Sequence, residues 1–310
     1  MTMSSVSIIL GIVNWCLIYI AIGIYLMIFY LSYRTRREMH DVSLVLTCYT
    51  SICAFLVCLT AFVMVTSNLF SGFLLVNMTF CYIWGLFYDI FECSVYYSYC
   101  LQAIYRLCRI IFYRKRYLLS YRLYSFLILA QCLLVLIVLL PPIFVNWYAR
   151  LPTENYCLIP YTYLGPEIYH ILLLYAVPLI CLAIVYIWIA RYMRNATRTT
   201  TLSNIGVNQR IRNQRDFTVI KRILVLISIL IILRFPTIIF MTHAAIVGSL
   251  YPLAYPIVGI ITSVCLILIG IITLNITTQL RNEMMSIVNQ KLNHVQPEPV
   301  RLNNVTPRSN

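Results

Sequence analysis

The sequence predicts an all-α membrane protein: a seven-transmembrane helix bundle with a short amphipathic C-terminal helix. Three observations predict it: the chain's hydrophobicity, seven apolar stretches of spanning length, and a one-sided distribution of basic residues. Of 310 residues, 62% are hydrophobic and 10% charged, and the mean hydropathy is +0.86. A soluble domain carries about 45–50% apolar and about 25% charged residues. A helix crosses the bilayer core with roughly 20 apolar residues, and only helices or closed barrels leave no backbone polar group facing lipid. The short alternating segments of a barrel are absent.

The apolar stretches fall at about 6–31, 42–67, 76–110, 121–147, 167–193, 217–247 and 252–277. Each is long enough to cross with some tilt. No cleavable signal peptide is expected, because no Lys or Arg precedes the long first apolar stretch, which then serves as its own insertion signal. After the seventh, Leu280, Met284, Ile287 and Val288 recur at helical spacing among Arg281, Asn282 and Lys291. That pattern suits an amphipathic helix over about 278–292 on the inner leaflet. Residues 1–295 are read as one domain, and the proline-containing polar run 296–310 as a disordered cytoplasmic tail.

The net charge of +14 is a topology signal, and no nucleic-acid partner is expected. Arg34, Arg36 and Arg37 lie after the first stretch, Arg114, Lys115 and Arg116 after the third, and Arg210, Arg212 and Arg215 after the fifth. The N-terminal segment and the connections near 68–75 and 248–251 carry no Lys or Arg, and the one after the fourth has only Arg150. The positive-inside rule therefore places the N-terminus outside and the C-terminus in the cytoplasm, in a multi-pass protein of the plasma membrane surrounded by lipid. The segment from Arg194 to Asp216 has no apolar periodicity and is expected to be a mobile loop where a cytoplasmic partner docks. An outer N-terminal segment of about seven residues leaves the bundle mouth as the expected binding site.

Of twelve cysteines, ten lie inside apolar stretches, where a thiol acts as a small hydrophobe. Cys81 sits at the outer end of the third helix and Cys157 in the outer connection between the fourth and fifth. Both face an oxidising compartment, so a Cys81–Cys157 disulfide is expected to tie that connection over the bundle mouth. The nearby sequon Asn77-Met78-Thr79 lies too close to the membrane for modification to be expected.

The third helix ends in Ala103-Ile104-Tyr105-Arg106-Leu107-Cys108. At ~1.5 Å per residue, Cys81 to Arg106 spans about 37 Å, which carries Arg106 to the cytoplasmic mouth. Together with Pro178, Tyr186 and Phe235-Pro236, this resembles the rhodopsin-like G-protein-coupled receptors. Their third helix runs from a loop-bridging Cys to Asp-Arg-Tyr, their fifth carries the Pro and Tyr at this separation, and their sixth carries Cys-Trp-x-Pro. The resemblance implies a receptor that binds an extracellular ligand and activates a heterotrimeric G protein. In it Arg106 swings toward the G protein when the sixth helix moves out, Tyr186 holds the open state, and Pro178 and Pro236 kink their helices. The pattern is incomplete: Tyr105 stands where the family has an acid, residues 42–80 hold no Asp or Glu, and the seventh helix lacks Asn-Pro-x-x-Tyr. A divergent member without the family's sodium-linked core is implied.

Charges inside apolar stretches are expensive and mark function. Asp89, Glu92, Tyr96, Tyr99, Ala103 and Arg106 recur at three or four residues and form one interior stripe. Arg234 stands where the family has its switch Trp and is expected to pair with Glu92. Such a pair either fixes helix packing alone or is competed for by a polar or charged ligand that biases the sixth helix. Glu167 and His170 begin the fifth helix on one face, and His243 near the outer end of the sixth is a further candidate for the same pocket. The family's amine receptors carry their binding Asp where this chain has Tyr88. Asp89 is one position off, about 100° around the helix, so an amine ligand is not favoured, and a peptide-like or other small polar ligand is preferred.

No catalytic constellation is evident, and neither an enzyme, a cofactor nor a metal is expected. Retinal would need a Lys in the seventh helix, and the only lysines are Lys115, Lys221 and Lys291. A seven-helix transporter or ligand-gated channel is the alternative, since buried charges also mark ion paths, although repeat symmetry and broken helix pairs are missing.

Overall fold

The computed structural model describes residues 5–35, 41–70, 72–112, 115–151, 153–200, 225, 228–229, 231–232 and 235–295. The first helices are α1 (Ser5–Arg34), α2 (Val42–Phe70), α3 (Met78–Ile111) and α4 (Tyr121–Phe144). A two-stranded hairpin follows, β1 (Ala149–Arg150) and β2 (Cys157–Leu158), paired antiparallel with Arg150 opposite Cys157. Helix α5 runs from Leu164–His170 through a π-helical turn, Ile171–Ala176, into Val177–Thr200. Then come α6, described over Phe235–Val247, α7 (Ala254–Ile276) and α8 (Thr278–Val295).

The protein is a multi-pass membrane protein with a seven-helix bundle. Among the described residues, α1, α2, α4, α5 and α7 are long and apolar enough to cross a bilayer. Large side chains on one face of each outer helix remain exposed, including Ile9 and Ile20 on α1, Leu129 and Leu133 on α4, and Ile180 and Ile184 on α5. In water such a belt would be an aggregation surface, and lipid is its natural cover. The opposite faces form one core, with Tyr25, Ile28, Val57, Leu139, Leu182 and Ile269 among its most buried members. Polar groups within apolar helices are satisfied locally, as where the Thr47, Thr50 and Ser51 hydroxyls donate to carbonyls one turn back.

Helix α3 sits at the centre, against α2, α4 and α5. Its N-terminus is fixed by Gly72, whose φ of 63° turns the chain into the Phe73–Val76 3₁₀ turn, and by Asn77, whose Oδ1 accepts from the Thr79 and Phe80 amides. The sequon asparagine is thus a helix cap. Gly85 of α3 has no room for a side chain, because a Cβ there would lie 2.5 Å from the Cys157 carbonyl oxygen. Gly85→Val is expected to push the hairpin off α3 and destabilise the protein by about 3 kcal/mol, read as a fall in the thermal unfolding midpoint. An unchanged midpoint would contradict that close approach.

Two segments differ from the sequence expectation. Helix α4 stops at Phe144 rather than near 147, because the chain turns through Asn146 at φ 53° and the Trp147 amide bonds back to the Pro142 carbonyl, a left-handed helix stop. The start of the expected mobile loop is helical, since α5 continues to Thr200. The remainder of that loop, the first part of the sixth stretch and the tail 296–310 lie outside the described residues.

Candidate functional site

A cavity of about 100 Å³ opens at the end of the bundle that carries the hairpin. Its walls include Asn14 of α1, Met64 of α2, Tyr88 of α3, Tyr156 of the hairpin, Glu167 of α5 and Thr262 of α7. Deeper in, the Ser263 hydroxyl donates to Asn14 Oδ1 at 2.6 Å. The approach of α1 to α7 there depends on Gly259, where a Cβ would lie 2.7 Å from Asn14 Nδ2.

The hairpin forms the roof. Cys157 is disulfide-bonded to Cys81 at the top of α3, with Cα atoms 5.5 Å apart. On the α2 side, Asn68 donates through Nδ2 to Glu154 and accepts the Asn155 amide at 2.8 Å. On the α7 side, the Tyr161 ring stacks on Tyr255 with centroids 4.7 Å apart, and the Tyr161 amide donates to the Tyr255 hydroxyl at 3.3 Å. Just before β1, Tyr148 donates its hydroxyl to Asp89 Oδ2 at 2.7 Å. Burial and the adjacent carboxylate push the Tyr148 hydroxyl pKa up.

Of the residues singled out in sequence, Tyr88, Asp89, Glu92, Glu167 and His170 all line this cavity. His170 Nε2 lies 3.4 Å from Asp89 Oδ1, a separation that becomes an ion pair when the imidazole is protonated. His243 does not join them, being exposed on α6 and absent from the lining. The expected Glu92–Arg234 pairing involves Arg234, which lies outside the described residues. The hairpin residues Tyr148, Glu154, Tyr156 and Tyr161, with Tyr255 and Asn14, are site residues that sequence reasoning missed. Asn14 carried a readable signal, a lone amide in an apolar stretch.

At the other end of α3, the interior stripe holds: Asp89, Glu92, Tyr96, Tyr99 and Ala103 are buried and Arg106 is half-buried. Tyr186 of α5 is buried within electrostatic reach of the Arg106 guanidinium. Tyr105 turns elsewhere, stacking edge-to-face on Tyr124 with centroids 5.1 Å apart and lying beside Asp41 and Arg109. Pro178 has no N–H, so a carbonyl in the preceding turn loses its helical donor. The Leu173 carbonyl, inside the π-helical turn, accepts the Tyr97 hydroxyl at 3.0 Å, and the Pro178 carbonyl accepts the Cys100 thiol at 3.3 Å. Both bonds fasten α5 to α3. In α6, Pro236 is half-buried beside the buried Thr237. At the membrane edge the Arg34 Nε lies 2.9 Å from Glu283 Oε1, and Leu280 of α8 is buried in the core.

Squid rhodopsin matches this structure with a TM-score of 0.77 and 16% sequence identity, over 96% of this chain and 90% of the squid protein's. The chain has the rhodopsin-like seven-helix fold. No family model and no curated protein matches the sequence.

Proposed function

We propose that this protein is a G-protein-coupled receptor that binds an extracellular ligand in the roofed cavity and activates a heterotrimeric G protein through the opposite ends of α3, α5 and α6. The observation that carries the reading is a single helix, α3, with the cavity acids Asp89 and Glu92 at one end and Arg106 beside Tyr186 at the other. A ligand that favours one arrangement of α3 and α5 shifts the population presented to a cytoplasmic partner. Pro178 and Pro236 supply the kinks about which α5 and α6 rearrange. The basic connections support an orientation with that end in the cytosol and the N-terminus outside the plasma membrane.

The test is nucleotide exchange by a panel of heterotrimeric G proteins on the purified full-length chain in lipid nanodiscs, with and without tissue extract. Basal or stimulated exchange is expected, and Arg106→Leu is expected to lower it by roughly 5- to 150-fold, the usual range of a coupling between sites, with the thermal midpoint unchanged. Ion currents without any exchange would overturn the receptor reading in favour of a channel.

A further inference from the structure

Four carboxylic acids, Asp89, Glu92, Glu154 and Glu167, line the cavity, each at most 5% exposed. No lysine or arginine is among the described lining residues. Asp89 is engaged by Tyr148 and His170. Glu154 is held differently: one oxygen accepts from Asn68, while Oε1 is buried with no hydrogen-bond partner among the described residues. A carboxylate taken out of water with an oxygen unmet is unfavourable unless a positive group joins it.

The surroundings of Glu154 specify that group. Tyr156 lies within electrostatic reach of Glu154, Tyr161, Tyr255 and Tyr88, and all four tyrosines line the cavity. Ring faces attract an ammonium within roughly 6 Å of their centroids. Among the described residues no three acids, histidines or cysteines converge to hold a metal ion. Acid and rings without a metal cage suit a diffuse organic cation.

We infer that the ligand is an organic ammonium ion whose cationic head is received by Glu154 and the Tyr156, Tyr161 and Tyr255 rings beneath the hairpin, rather than by the acid on α3. The sequence reading disfavoured an amine ligand, but on the register of Asp89 alone, and Glu154 lies on a different element. This inference rests on the receptor reading for its meaning, but not for its test.

A pH signature accompanies it. Burial pushes the Glu154 carboxyl up to about 7, although the Asn68 bond works the other way. Tyr156 of the connection and Tyr255 of α7 are the titratable groups beside it, with Tyr88 and Tyr161 next to Tyr156 and Glu167 next to Tyr255. Asp89, Glu92 and His170 line the same cavity, and the one basic group among all of these, His170, lies against Asp89. A cation favours the ionised form, so its affinity is fully present above about pH 7 and is lost as pH falls through that value, by at most about tenfold per unit for one group.

The experiment is thermal unfolding of the full-length chain in non-ionic detergent at constant ionic strength. The probes are tetramethylammonium, agmatine and 2-phenylethylamine, with 2-phenylethanol as the uncharged counterpart of the last. At least one ammonium is expected to raise the midpoint while 2-phenylethanol does not. Glu154→Gln is expected to weaken that ammonium roughly ten- to a hundredfold and to flatten its pH dependence. Tyr255→Phe, which keeps the ring, should retain the shift, and Tyr255→Leu should reduce it. No shift with any ammonium, an equal shift with 2-phenylethanol, or an undiminished shift in Glu154→Gln overturns the inference. If Glu154→Gln does not fold, an undiminished shift in Tyr255→Leu overturns it instead. No G protein is present, so ammonium binding without nucleotide exchange sinks the receptor reading and leaves this one standing.

Discussion

Replacing Cys157 with serine is expected to lower the thermal unfolding midpoint by roughly 10 °C and to weaken ligand binding at the roofed cavity. The bond closes a loop with a sequence separation of 76, for which the chain-entropy model gives about 4 kcal/mol. At roughly 2–4 °C per kcal/mol for a chain of 150–250 residues, that corresponds to a fall of this size. The structural consequence is as large. Cys157 is the point at which the hairpin touches α3, over the bare backbone of Gly85, and Glu154 and Tyr156 are positioned from it. Cys81→Ser should reproduce the effect, and the double variant should add nothing, because both remove one bond. Cys16→Ser, at a cysteine exposed on the lipid face of α1, should leave the midpoint unchanged. Unfolding of Cys157→Ser at the wild-type temperature would show that the bond does not hold the roof.

The difference between what was readable in sequence and what was not follows from range. Lipid leaves a helix few alternatives, so each run of about 20 apolar residues announces a crossing. The interior stripe of α3 was readable for the same reason, since Asp89, Glu92, Tyr96 and Tyr99 follow helical spacing and helical spacing fixes a face. The cysteines stood out because Cys81 falls at the outer end of its apolar run and Cys157 outside any run. The roof was not readable. Glu154 meets Asn68 across 86 positions, Tyr148 meets Asp89 across 59 and Tyr161 meets Tyr255 across 94, and no periodicity links such partners. In sequence Glu154 looks like an ordinary acid in a polar connection. One signal was available: a residue three positions from Cys157 cannot stray more than about 10 Å from it, so once Cys157 was placed over the bundle mouth, Glu154 and Tyr156 had to lie there too. The sixth helix shows the converse case, because the expected Glu92–Arg234 pair depends on a position outside the described residues.

Removing the Asp89 carboxylate is the second change with a large expected effect, because Asp89 is where the roof meets the interior stripe. Its Oδ2 accepts the Tyr148 hydroxyl at 2.7 Å and its Oδ1 faces His170 Nε2 at 3.4 Å, so one side chain joins the hairpin, α3 and α5. In Asp89→Ala the buried Tyr148 hydroxyl loses its acceptor and His170 the carboxylate beside it, at a combined cost of about 3 kcal/mol. Tyr148→Phe should cost only about 1 kcal/mol, since it removes the donor from a carboxylate that still faces His170. The double variant separates a direct contact from two independent defects. With Asp89 gone the Tyr148 hydroxyl is a liability, so Tyr148→Phe in that background should restore about 1 kcal/mol, a coupling of about 2 kcal/mol read from chemical or thermal unfolding. Strict additivity would mean that the hairpin is not held through Asp89. Loss of nucleotide exchange in Asp89→Ala with the disulfide intact would put the same carboxylate on the route from the roof to Arg106, since a displacement of α3 at Asp89 is carried along one continuous helix to its Arg106 end.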